Sequence, residues 1–105
     1  MKSPNLSYID NLAADDERFR SEFIAILKTE LPLEVELYRR YIEQEEWKSA
    51  AESVHKMKHK LGIASMDEAY EIAIRYEEEL KTGSKNSQIA FERELKRLSD
   101  FVSDL

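Results

Sequence analysis

The chain has 105 residues, the common size of one domain, and sets 22 acidic side chains against 16 basic ones for a formal charge of -6. That balance argues against sequence-independent nucleic-acid binding, whose affinity comes from neutralising phosphates. The absence of cysteine removes disulfides, zinc ribbons and thiol nucleophiles.

No stretch approaches the roughly 18 apolar residues of a membrane span, and Met1 to Leu12 lacks the apolar centre of a signal peptide. A soluble, unexported, cytoplasmic protein without membrane contacts is expected. Two glycines and two prolines stand among abundant Glu, Lys, Leu, Ala and Ile, so breakers are scarce and the fold class is expected to be all-α.

Residues 1–6 read as a frayed lead, and Ser7-Tyr8-Ile9-Asp10 has the form of a cap for a short first helix ending near Ala13. From Asp15-Asp16 onward, Phe19, Phe23, Ile26, Leu27, Leu31, Leu37/Tyr38 and Tyr41/Ile42 recur at spacings of three and four, predicting a long amphipathic helix. Pro32 removes a backbone donor inside it, so either a kink or two abutting helices is expected there, the kink being favoured.

After the charged run Glu43 to Glu46, a third stripe comprises Trp47, Ala50/Ala51, Val54, Met57, Leu61 and Ala64. Ser65-Met66-Asp67-Glu68 has the S-x-x-E form of a capping box, predicting a fourth helix from Met66 with Ala69, Ile72/Ala73, Tyr76 and Leu80 inward. Lys81 to Ser87 is the clearest loop, with Gly83 as C-cap and Ser87 as N-cap of a last helix bearing Phe91, Leu95, Leu98, Val102 and Leu105. Phe19, Phe23, Trp47, Tyr76 and Phe91 are expected as core aromatics. Four long amphipathic segments on short connections pack most simply as an antiparallel four-helix bundle with a short N-terminal lead helix.

The third helix carries both histidines. With Val54 set at the centre of its apolar stripe, His55 lies about 100° round, at the rim, and Lys48, Glu52, His59 and Gly62 fall on the same flank. Gly62 is expected to leave an approaching partner unobstructed.

Here the segment from Ser53 to Met66 resembles the signature of the histidine-containing phosphotransfer (HPt) family, H-x-L-K-G-(x5)-G-L. His55 matches the phospho-acceptor, Met57 the apolar position, Lys58 the lysine three residues on, and Met66 the apolar residue after the second glycine. His59 stands where the family has its first glycine and Ser65 where it has its second.

The resemblance implies that residues 1–105 form one HPt-like bundle relaying a phosphoryl group through phospho-His55 in a two-component phosphorelay. Lys58 would give charge support, and Lys56, His59, Lys60, Gly62 and Ser65 would surround the docking surface. The implied partners are response-regulator receiver domains and a hybrid sensor histidine kinase, with this chain a monomer. A neutral imidazole is nucleophilic near physiological pH, which suits such a carrier.

The chain has no glycine-rich phosphate loop, no Walker lysine and no aspartate cluster for magnesium. The carrier would therefore be no enzyme and hold no cofactor of its own, with magnesium supplied by the receiver. Two other readings stand beside this one. The first is a helical adaptor without phosphoryl chemistry; the second is a zinc site from Glu52-x-x-His55-x-x-x-His59 on one helix face. Ser65 reads as a cap, since no base accompanies it.

Overall fold

The computed structural model describes residues 3–105; of the lead expected over residues 1–6, Met1 and Lys2 lie outside the described residues. Five helices follow one another: α1 (Ser7–Ala13), α2 (Glu17–Glu43), α3 (Trp47–Ile63), α4 (Asp67–Lys81) and α5 (Gln88–Ser103), with no strand among the described residues. The protein is all-helical. The described part of the lead is tied down, because the Asn5 amide donates to the Ala64 carbonyl at 3.0 Å and Leu6 packs against the core.

Local chemistry explains most of the boundaries. The Asp16 carboxylate accepts from the Phe19 amide at 3.0 Å, satisfying an orphan donor at the start of α2. At α1 the side-chain acceptor is Asn5, whose Oδ1 takes the Ser7 amide at 2.9 Å; Ser7 itself caps nothing.

Pro32 lies within one continuous α2, so the two-helix alternative does not occur. Leu31, whose α geometry the proline disfavours, is fully buried, and the ~1.5–3 kcal/mol of burying such a side chain offsets that local cost.

The ends of α2, α3 and α4 share one device. In each, a residue with positive φ follows the last turn, and two back-directed amides satisfy orphan carbonyls, as in a Schellman motif. The left-handed residues are Glu45 (φ 57°), Ser65 (φ 61°) and Gly83 (φ 81°). At the end of α3 the Ser65 amide donates to Gly62 and the Met66 amide to Leu61, both at 3.0 Å. Ser65 therefore terminates α3 and makes no side-chain cap for α4, which starts one residue later than expected, at Asp67.

Ser87 does sit at the N-cap of α5, but its hydroxyl donates across the loop to Glu79 at 2.8 Å and leaves its own helix uncapped.

The long helices pack in a cycle, α2 on α3, α3 on α4, α4 on α5 and α5 back on α2, with α3 and α4 most intimately joined and α1 resting on α2. Tyr38, Tyr76 and Phe91 stack at ring-centroid distances of 5.1 to 6.3 Å among Leu31, Val54, Met57, Leu61, Leu80 and Leu98, all buried.

Three residues of the expected α2 stripe, Phe19, Ile26 and Leu37, are exposed instead. They lie about 100–120° around α2 from the inward direction set by Leu27, Leu31 and Tyr38, turned away from the core. Phe23 and Trp47 are only partly buried, at its margin.

Candidate functional site

Val54 and Met57 are fully buried in the core where α3 packs against α2 and α4, and that anchoring fixes the rotation of α3. His55 is consequently carried to the edge of the α3–α4 seam, its side chain 53% exposed.

Across the seam stands Glu77, one residue after the buried Tyr76 on α4, with its side chain only 11% exposed. The Glu77 carboxylate oxygens lie 3.1 and 3.2 Å from His55 Nδ1, and Oε1 accepts from Lys58 Nζ at 3.1 Å. Lys81 Nζ approaches the other oxygen at 3.6 Å.

Burial alone pushes the Glu77 carboxyl up, but hydrogen bonds from Lys58 and His55 and their charges outweigh it and hold the group below the ordinary carboxylate value. Glu77 is therefore an anion. An ionised carboxylate only accepts hydrogen bonds, so His55 presents an N–H at Nδ1, which in the neutral ring leaves the lone pair on Nε2. Nε2 has no hydrogen-bond partner among the described residues. With Nδ1 donating to Glu77, the Lys58 contact to the same nitrogen at 3.3 Å is simple proximity, and the lysine directs its protons to the carboxylate.

Lys58, three residues after His55, is pinned between Glu77 and the face of Tyr70, whose centroid is 5.9 Å away, and its side chain is 13% exposed. His59 packs edge-on against His55 with ring centroids 5.1 Å apart and planes at 88°. On the N-terminal side of the imidazole, Lys48, Ala51, Glu52, Lys56, Glu77 and Lys81 line a recess of about 440 Å³ that includes His55 itself. The structure thus brings together His55, Lys56, Lys58 and His59.

Lys60, Gly62 and Ser65 stand differently from expectation. Lys60 is turned toward α2, its side chain 10% exposed and its amine 3.1 Å from both Glu30 and Glu34. Gly62 is not an open gap, since a Cβ there would meet the Tyr70 ring at 3.4 Å. Ser65 lies ten residues beyond His55, about 15 Å along the axis, and serves the helix end. The Glu52–His55–His59 zinc grouping does not form, because no set of three His, Cys, Asp or Glu side chains among the described residues is placed to hold a metal ion.

Glu77 escaped the sequence reading. It stands 22 positions from its imidazole partner, and the only signal available was its place beside Tyr76, at the edge of the predicted inward stripe of α4. No known family, no curated protein and no solved structure matches this chain. Among the described residues, no helix is long and apolar enough to cross a membrane.

Proposed function

We propose that this chain is a histidine phosphotransfer module, in which His55 Nε2 accepts a phosphoryl group from the aspartyl phosphate of a receiver domain and returns it to another. The observation that supports this most directly is the Glu77 carboxylate on His55 Nδ1. A bound proton on Nδ1 leaves Nε2 as the nucleophile, the same orienting role a carboxylate plays toward an imidazole in hydrolytic triads.

In the transfer, the Nε2 lone pair forms the N–P bond as the aspartate O–P bond breaks and the aspartate leaves as carboxylate. No proton moves at Nε2. The ring becomes a phosphorylated cation that retains Nδ1–H, and Glu77 lies beside that positive charge. Holding the proton there also keeps imidazole a neutral leaving group, so the phosphoryl group stays transferable. Lys58 neutralises Glu77 in the resting state and offers charge support near the phosphoryl oxygens.

The cycle formed by α2 to α5 is read as the HPt four-helix bundle, with α1 as its lead helix. Lys48, Lys56 and Lys81 outnumber the two carboxylates, Glu52 and Glu77, that line the face beside His55 in a chain of net charge -6, a local balance that suits the acidic, magnesium-holding cleft of a receiver. Receiver domains and a hybrid sensor kinase in the cytoplasm are the partners this reading names. Magnesium and the acidic residues that bind it belong to the receiver.

Incubation with a receiver domain charged by acetyl phosphate and magnesium tests the proposal. Intact mass is expected to rise by one phosphoryl group that is acid-labile and base-stable, in wild type and not in His55→Gln. No gain across several receivers would leave the adaptor reading in its place.

A further inference from the structure

The last aromatic ring at the site has no task in that mechanism. His59 stands one helical turn beyond His55, exposed, with its ring edge-on to the acceptor ring, and it makes no hydrogen bond among the described residues. Of the neighbouring lysines of α3, Lys58 is held on Glu77 and Lys60 on Glu30 and Glu34, while Lys48 and Lys56 line the recess on the other, N-terminal side of His55. Around His59, α1 contributes Tyr8 and α4 contributes Tyr70, while α3 contributes Gly62 and Ile63. No carboxylate lines that recess to engage the imidazole, so a ring N–H of His59 remains free to donate.

We propose that His59 is a phosphoryl-binding residue, donating a ring N–H to an oxygen of the phosphoryl group on His55 and prolonging the life of the phosphorylated state. A phosphoryl group brings about -1.5 to -2 of charge and three strong acceptor oxygens to within reach of the adjacent ring. Hydrogen bonds to such an anion are charge-assisted. The inference rests on His55 being the acceptor, as proposed above.

Phosphoramidate, which phosphorylates exposed imidazoles without a protein partner, supplies the test. Once charged, wild type is expected to lose its phosphoryl group about three- to tenfold more slowly than His59→Ala, the factor one net hydrogen bond supplies. His59→Gln, which keeps an N–H donor, should recover part of that lifetime. A His59 ring N–H resonance, averaged with water in the free protein, should become visible on phosphorylation, a change that a merely packing role would not produce.

Equal lifetimes in wild type and His59→Ala, with His55 demonstrably phosphorylated, would overturn this inference alone. So would a mass gain that survives His55→Gln and disappears in His59→Gln, since His59 would then be an acceptor. No mass gain on wild type from phosphoramidate or from receivers would overturn the carrier reading and this inference with it.

Discussion

Glu77 and Lys60 show how far the role of a charged side chain depends on what the fold sets opposite it. Glu77→Gln keeps the shape but removes the charge and puts an NH2 donor in place of one oxygen, so His55 is no longer held to the Nδ1–H tautomer and phosphoryl uptake from a receiver is expected to slow by about 10- to 100-fold, as when such orienting carboxylates are lost elsewhere. Stopped-flow transfer rates check this, with thermal unfolding to show that the fold persists. Because the folded Glu77 carboxyl sits below the ordinary value of about 4.3, its stabilising contribution is present above that pH and is lost as pH falls through the folded value. The difference in Tm between wild type and Glu77→Gln is therefore expected to shrink on acidification, which a pH series of melts would reveal. Lys60 is the opposite case, for the sequence placed it in the docking surface and the fold pairs it with α2. Lys60→Ala strips the cation from the mostly buried Glu34 and is expected to cost about 2–3 kcal/mol, less than a fully buried pair because Glu30 is half exposed. Phosphoryl uptake should stay within about twofold of wild type, since the two sites share no partner. A large loss of transfer at unchanged stability would put Lys60 back at the site. His55 and Lys58 were legible because both lie within one turn of a single helix. Glu77 was not, because periodicity says which face of α4 turns inward and nothing about which residue of α3 it meets.

Among the elements, interiors were easier to read than ends. Five helices follow from the spacing of apolar residues, and α1 ends where expected, at Ala13, but begins at Ser7 itself; the caps were misassigned because Ser7 and Ser65 resemble cap residues in sequence while Asn5 and the backbone do the capping. A motif such as S-x-x-E records an ability to hydrogen-bond, and whether it is used depends on φ at that residue. At Ser65 the positive φ required to stop α3 places the residue in a different role. Glu45 and Ser65 both bear a Cβ in a conformation that costs an L-residue about 1–2 kcal/mol. Glu45→Gly relieves that strain but loosens the unfolded chain, so a net gain of about 0.5–1 kcal/mol is expected from urea denaturation. Ser65→Gly should gain by a similar amount and leave His55 chemistry untouched. A loss of stability in either variant would mean that the side chain, and not the backbone, secures that turn.

For the molecule as a whole, one polar network joins helices that periodicity treats separately. Tyr38 on α2 donates to Glu92 on α5 at 2.8 Å, and its oxygen lies 2.6 Å from that of Tyr76 on α4, so Tyr76 donates to Tyr38. Desolvation, then the hydrogen bond to Glu92 and the charge of that carboxylate, push the Tyr38 phenol far up. Desolvation likewise raises Tyr76, to about 12, with the carboxylates of Glu92 and Glu79 adding to the rise. The order of donation makes the two residues unequal. Tyr76→Phe removes one donor and leaves Tyr38 on Glu92, a loss of about 1 kcal/mol. Tyr38→Phe instead strands the Tyr76 hydroxyl in the core and should cost about 2–3 kcal/mol, because an unsatisfied buried group bears its full desolvation penalty. The pH dependence follows from the same groups: both phenols titrate higher folded than unfolded, so their contribution is complete below the unfolded value of about 10 and is lost as pH rises through the folded values. Alkaline unfolding monitored by tyrosinate absorbance should thus be cooperative, both phenols ionising as the bundle opens. In Tyr38→Phe that transition should begin at lower pH and take up one proton equivalent of base less. Gradual ionisation of both rings with the helices intact would show that the network does not hold α2, α4 and α5 together.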